Sequence, residues 1–462
     1  MNFLDRLAIP EAAERLQMLR YLLVLVTLIF AVYASIVVIA ATASAIFDRR
    51  GRKTGNESYS RFARDLAHLA VPSRGVLIAL GVLPLVTLTL IYAQLLYGMK
   101  LGVSTYLSVA ALFTFVGYYF LARYERSFRL ESIMTAFQRL AASGKADVKK
   151  NIAADVDSFE RAAAAHRFKD GRRAAILLWI GTWIFLGTTR LAFTPAMWSH
   201  PTFWTVVFSG KTIWSLLDFL VMALVVSSAA VMVFFFRFEH GIALDADDSY
   251  RKFVRHAVLP VGLVGLALEP ILLFFEIQNL PLTGVSNATF GVAGIGMFVA
   301  LFLLIMFYFM LKDSAINLGS YALAGVVLLV LVWAAKDEMA FRYATRVQDQ
   351  HLGARYEALL ASMGEVKPPP VMSGEDIYNA RCSACHRFDR KLVGPPYFMT
   401  LPHFVGKMDS LEDFINNPYQ AVPGYPPMPN QGLKPQEVKN IAEYIMGVYL
   451  AASKKGEAKV VQ

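Results

Sequence analysis

The sequence predicts an all-α membrane protein: about eight transmembrane helices in two four-helix bundles, with a small helical domain at the C-terminal end. Three observations carry this prediction. Hydrophobic residues make up 56% of the 462 residues and charged residues 17%, and mean hydropathy is +0.46, the composition of a polytopic membrane protein. Apolar runs long enough to cross a hydrocarbon core of about 30 Å recur along the first three quarters of the chain. The only two cysteines fall in one five-residue stretch beyond those runs.

The N-terminal segment, 1–19, is amphipathic, with Pro10 opening a helix through Glu11-Ala12-Ala13-Glu14. The basic cluster lies after the first apolar run rather than before it, so that run reads as a retained signal anchor and not a cleaved signal peptide. The membrane domain, 20–335, holds spans near Arg20–Phe47, Gly75–Gly98, Leu101–Arg123, Ala174–Thr194, Thr212–Phe236, Ala257–Ile277, Gly291–Leu311 and Ala315–Ala335. Charge between the spans sets the orientation. Asp48–Arg74 carries seven Lys/Arg, Tyr124–Arg173 eleven and Arg237–His256 four, whereas the intervening connections are nearly bare. The basic loops are therefore expected in the cytoplasm. The N-terminus and everything after the eighth span then lie on the outer side.

Ser58-Tyr59-Ser60-Arg61-Phe62-Ala63-Arg64 and Ser249-Tyr250-Arg251-Lys252-Phe253-Val254-Arg255 precede the second and sixth spans. Each of these spans then contains a proline, Pro84 or Pro270. The pattern fits an internal repeat of two parallel four-helix units. It also fits a juxtamembrane pattern of aromatic and basic anchors. Asp218, Glu269 and Glu276 fall inside spans, where ionisable residues are costly and often functional. Glu269 and Glu276 are seven apart and share a helix face. They read either as a proton path or quinol site, with Tyr92 and Gln94 nearby, or as packing residues, with Glu276 near the outer interface and Asp218 and Glu269 paired to Arg190 or to backbone groups inside the bundle. Within the loop 124–173, Arg126–Asp170 reads as an exposed helical hairpin. The linker 336–370 reads as an amphipathic helix, Glu338 to Met363, ending in a stiff Lys367-Pro368-Pro369-Pro370 spacer.

Cys382-Ser383-Ala384-Cys385-His386 reads C-x-x-C-H, the attachment signal for one covalent haem c. Two other uses of C-x-x-C fit less well. A zinc site wants four ligands, and His403 is the only histidine soon after; a thioredoxin-type pair belongs in a βαβ pattern, which is absent. Downstream come Gly394-Pro395-Pro396, then Tyr425-Pro426-Pro427-Met428-Pro429, then the helix pattern Gln436 to Ile445. Over 371–453 this order resembles a class I cytochrome c, and a tail, 454–462, follows. The resemblance implies that Met428 is the sixth iron ligand opposite His386. Met399 and Met408 come too early in the chain for that place. A His/Met pair suits an electron carrier.

The two sets of four spans, with Arg15-Leu16-Gln17 at the start of the first, are similar to the cytochrome bd quinol oxidase subunits. That family carries a haem b ligand histidine inside its first span, and Arg20–Phe47 has none. The expected function is a membrane-anchored monohaem c-type cytochrome of the bacterial inner membrane. It would be an electron-transfer subunit of a respiratory complex, passing single electrons to a redox partner at the periplasmic face. Other subunits of that complex and the lipid bilayer are its expected surroundings. Whether the chain is itself an enzyme stays open. One alternative is a quinol-oxidising cytochrome c reductase with a bound quinone; the other is a redox-coupled proton or ion translocating subunit using Glu269 and Glu276. The net charge of +10 sits mostly in the cytoplasmic loops and gives no reason to expect nucleic acid.

Overall fold

A computed structural model describes residues 13–97, 99, 101–142, 150–192, 194–198, 202–236, 247–279, 286–312, 316–363, 372–426 and 428–456. The chain divides into two compact units, Glu14–Arg346 and Val347–Gln462. Helices and turns make up both, with no strand among the described residues. The Lys367–Pro370 spacer, Pro427, His200 and His240 lie outside the described residues.

Each predicted span falls on a helix long and apolar enough to cross a membrane, eight in all among the described residues. The first is α1 (Ala13–Thr54). After it, α2 (Glu57–Ala70) begins at Asn56, whose side chain accepts the Ser58 N–H, a common N-cap arrangement. The second span is built from α3 (Arg74–Leu77), a wide π turn (Ile78–Val82) and α4 (Leu83–Leu95). The π turn lies just ahead of Pro84, whose ring would collide with the carbonyl four residues back in a regular helix. Helices α5 (Val103–Ala142) and α6 (Lys150–Ala192) run on past their apolar parts and pack on each other; the turn of the expected hairpin, 143–149, lies outside the described residues. Arg167 ties this extension down, pairing with Glu131 and, at 3.1 Å, with Asp48 of α1.

A short helix, α7 (Phe203–Phe208), leads into α8 (Gly210–Phe236), α9 (Asp248–Asn279), α10 (Asn287–Lys312) and α11 (Gly319–Ala344). The last four close a ring: α8 packs on α9, α9 on α10, α10 on α11, and α11 back on α8. The other spans form the second set, and α1 reaches both. Ser227 of α8 donates to the Ser35 carbonyl at 3.1 Å, and Trp179 of α6 donates to Thr42 at 3.0 Å. One continuous apolar core runs through both sets.

Sequence reading missed α2, and its register explains its place. Phe62, Ala63, Leu66, Ala67 and Ala70 are buried on one face. The two similar juxtamembrane stretches meet there. The Phe253 ring lies 5.7 Å from Phe62 and 5.5 Å from Tyr59, and the Tyr250 hydroxyl donates to Asp65 at 2.7 Å. Burial raises the Asp65 carboxyl above its ordinary value, with Tyr250, Arg64 and Arg61 pulling the other way.

The expected helix from Glu338 to Met363 is broken at Thr345, between α11 and α12 (Arg346–Ser362). Thr345 Oγ1 donates to the Phe341 carbonyl at 2.8 Å and accepts from Arg20 at 2.6 Å. The second unit contains α12, α13 (Gly374–Ile377), a π turn (Tyr378–Cys382), α14 (Tyr397–Thr400), α15 (Met408–Asn416) and α16 (Pro435–Lys454). Helix α16 starts with Pro435 in its first turn, and Glu437 accepts the Lys434 N–H at 2.9 Å, satisfying one donor at the helix start, while Pro435 has no N–H to satisfy. Helix α13 crosses α16 at Gly374, where a Cβ would stand 2.3 Å from the Asn440 carbonyl oxygen. Ile377, Tyr378, Leu411, Ile415, Val438, Ile441 and Ile445 fill the core below.

Candidate functional site

The C-x-x-C-H stretch is held by backbone before any side chain acts. The Ser383 N–H closes the π turn on the Tyr378 carbonyl at 2.8 Å. The Cys385 and His386 N–H groups both reach the Cys382 carbonyl, at 3.1 and 2.9 Å. This tight turn puts both thiols and the imidazole on one wall of a cleft of about 1160 Å³. Pro395 offers its carbonyl to His386 Nδ1 at 2.9 Å, which fixes the ring and leaves Nε2 as the nitrogen for ligation. Gly394 makes room for that ring, since a Cβ there would stand 2.2 Å from Cε1. Tyr397 lies parallel to the imidazole, ring centres 5.0 Å apart.

Met428 lines the same cleft, on the loop before α16. The loop is braced by Asn430, which donates to the Asn416 carbonyl at 2.7 Å, and by Gln420, which donates to the Tyr425 carbonyl at 3.0 Å. Met399 and Met408 do not line the cleft: Met399 is exposed, and Met408 packs against the core. The rest of the lining includes Leu401, Phe404, Leu411, Phe414, Ile441 and Ile445. The lining is mostly apolar, as the face of a flat apolar macrocycle requires. It offers two thiols, an oriented imidazole and a thioether, the donor set a c-type haem requires. Burial raises the Cys382 thiol, the opposite of the lowered value of a reactive C-x-x-C pair. Among the described residues no group of three or more His, Cys, Asp or Glu side chains is placed to hold a metal ion.

In the membrane unit the packing reading needs correction. Glu276 is 2% exposed, and it is Glu276 that pairs with Arg190. The Lys336 ammonium joins them, 2.6 Å from Glu276 and 2.7 Å from Asp337. Arg190 also donates to Ser215. Asp218 accepts the Trp333 indole N–H at 2.8 Å rather than an arginine. Glu269 is buried with one carboxyl oxygen that meets no hydrogen-bond donor. Lys336 was missed because it follows the last apolar residue of its run; its helix continues to Ala344. Tyr92, named beside the acidic residues, packs its ring against Phe341 at 5.5 Å.

A helical domain whose C-x-x-C-H turn and methionine loop share one apolar cleft is a c-type cytochrome, a haem c electron-transfer domain. Comparison with known proteins agrees. The family described as "Cytochrome C oxidase, cbb3-type, subunit III" matches residues 369–445. Cytochrome c-551 of Pseudomonas denitrificans is 32% identical over 78 residues, 16% of this chain and 95% of that protein. Cytochrome c-551 of Pseudomonas aeruginosa is 32% identical over 91 residues, covering 19% of this chain and 84% of the relative. That of Stutzerimonas stutzeri is 31% identical over 87 residues, with 18% and 84% covered. Through its C-terminal domain the chain belongs to the cytochrome c family. No solved structure matches the chain.

Proposed function

We propose that the protein is a membrane-anchored monohaem cytochrome c, the electron-transfer subunit of a respiratory complex in a bacterial inner membrane. Cys382 and Cys385 hold the haem covalently, and His386 and Met428 ligate its iron. The observation that carries this reading is the meeting of these four side chains in one apolar cleft. The haem, when bound, supplies a one-electron couple. The protein's part is to exclude water with Leu401, Phe404 and Ile441, to hold His386 Nε2 toward the iron through the Pro395 carbonyl, and to keep the Met428 loop stiff. A haem held by His386 and Met428 together would supply electron transfer and no bond chemistry.

The likeness to a cbb3-type oxidase subunit supports membership of a respiratory complex. Arginine and lysine gathered where α1, α5 and α8 end and where α2, α6 and α9 begin support a cytoplasmic placement of that side. The second unit then stands at the periplasmic face, where a redox partner protein meets it. A pyridine haemochrome spectrum of the purified protein tests the reading. One c-type haem per chain supports it, and a b-type band or no covalent haem refutes it. Orientation is tested separately by labelling single cysteines placed at Lys53 and Gly456 in a cysteine-to-serine background. Only the Gly456 position should react with a membrane-impermeant reagent added from the periplasm.

A further inference from the structure

The outward face shared by α5 and α6 changes character at one level. Along α5 its exposed residues are Leu112, Val116 and Tyr119, then Arg123 and Arg126. Each lies three or four positions from the last, so all fall on one side of the helix. Helix α6 runs the opposite way, with Leu178 against Gly117 and Gly181 against Thr114. Its exposed residues are Lys169, Arg172 and Arg173, followed by Ile176. Apolar surface gives way to basic surface on both helices together.

Asp170, 4% exposed, ties the helices at that level. Arg123 lies 3.2 Å from one of its oxygens and Arg173 3.9 Å from the other. Both guanidinium groups are set over rings of α5, Arg123 over Tyr119 at 5.8 Å and Arg173 over Phe120 at 5.5 Å. The centres of those rings are 5.5 Å apart. The arginine stems thus lie on aromatic surface while their heads reach water. Nearby cations are matched by carboxylates: Arg167 stands between Asp48 and Glu131, and Arg129 against Glu125. Among the described residues, Asp170 is the one carboxylate within ion-pair reach of Arg123 and Arg173. Lys169, Arg172 and Arg126 add to the positive surplus.

We propose that this face binds an anionic phospholipid, its phosphate diester accepting from Arg123 and Arg173 and its acyl chains lying along Leu112, Val116, Tyr119 and Ile176. Guanidinium N–H groups match phosphate oxygens in pairs, and an arginine stacked on a ring is held in orientation for them. An acidic protein segment would use the cations and leave the apolar stripe beside them uncovered. A zwitterionic head group would bring its own ammonium against Lys169 and the arginines. The proposal rests on the spans crossing a bilayer. It depends neither on the haem nor on which side is cytoplasmic.

The test uses the full-length protein in mild detergent, read by native mass spectrometry as phosphatidylglycerol or phosphatidylcholine of equal chain length is added. Wild type should retain phosphatidylglycerol at a concentration about tenfold below that needed for phosphatidylcholine. Arg123→Gln with Arg173→Gln should abolish that preference. Lys252→Gln with Lys312→Gln, which removes exposed cations of α9 and α10, should keep it. If the first pair does not fold, judged by thermal melting, Arg126→Gln with Lys169→Gln leaves the Asp170 pairing intact. That variant should cut the preference roughly threefold. Equal retention of both lipids by wild type, a preference that the α5–α6 variants leave unchanged, or an equal loss in the α9–α10 variant would each overturn the proposal. Displacement of the lipid by millimolar inorganic phosphate would overturn it too, since the site would then need no acyl chains.

Discussion

Replacing Gly394 by alanine should detach the histidine ligand while leaving the haem bonded to the chain. The new Cβ would stand 2.2 Å from His386 Cε1, 2.6 Å from Nδ1 and 2.7 Å from Nε2. Ordinary van der Waals contact begins at 3.4 Å, so the imidazole must retreat by about 1.2 Å. That movement breaks the 2.9 Å contact with the Pro395 carbonyl, a bond worth about 1 kcal/mol net. It also exceeds by several times the roughly 0.2 Å that a metal–ligand distance tolerates. The thiols of Cys382 and Cys385 are untouched by the new methyl. A haem-stained denaturing gel should therefore show the same band as wild type. The ferric absorption spectrum should shift from low-spin to high-spin, and the ferrous protein should acquire carbon monoxide binding. A Gly394→Ala protein that stays low-spin and refuses carbon monoxide would show that His386 does not ligate from the position described.

Three further outcomes follow from the same geometry. Met428→Ala should keep covalent haem and lower the midpoint potential by more than about 59 mV, the tenfold step for one electron, as read by redox titration; Met399→Ala should leave the potential where it was. Glu276→Gln and Lys336→Met each break a buried ion pair and should destabilise the membrane unit by about 3–5 kcal/mol, whereas the double variant should lose less than the sum, a difference a thermal-shift cycle in detergent resolves. Asp65→Asn should stabilise the protein at pH 8 and lose that advantage toward acid. Burial raises the folded Asp65 carboxyl above its unfolded value, so the folded state binds the extra proton and wild type gains stability as pH falls through that window; equal melting temperatures at pH 8 would contradict this.

The eight spans were legible because their signal is additive: twenty apolar residues in a row outweigh any single misplaced charge. The haem cleft was legible because its chemistry is local, five consecutive residues and a methionine held before a helix. What could not be read depends on partners distant in sequence. Nothing around Lys336 indicates that a glutamate sixty residues earlier neutralises it, so the sequence reading ended the span before it. Helix α2 was hidden differently. Its buried face is written in Phe62, Leu66 and Ala70, but arginines and a histidine fill the gaps, and only packing against Phe253 and Phe47 shows which side is inside. The role of Pro395 rests on a carbonyl, which every residue has.

The crossing of α13 and α16 at Gly374 has a consequence in time as well as in space. The cleft wall carrying Cys382, Cys385 and His386 is completed by Ile441 and Ile445, roughly sixty residues further along the chain. At about 5–20 residues per second of synthesis, these arrive some 3–12 s after the cysteines. Through that interval α13 has no partner to lie against, and the thiols face an unfinished cleft. The far wall of the cleft is therefore made after the wall that carries the thiols and the imidazole, and a chain truncated just before Pro435 would lack it.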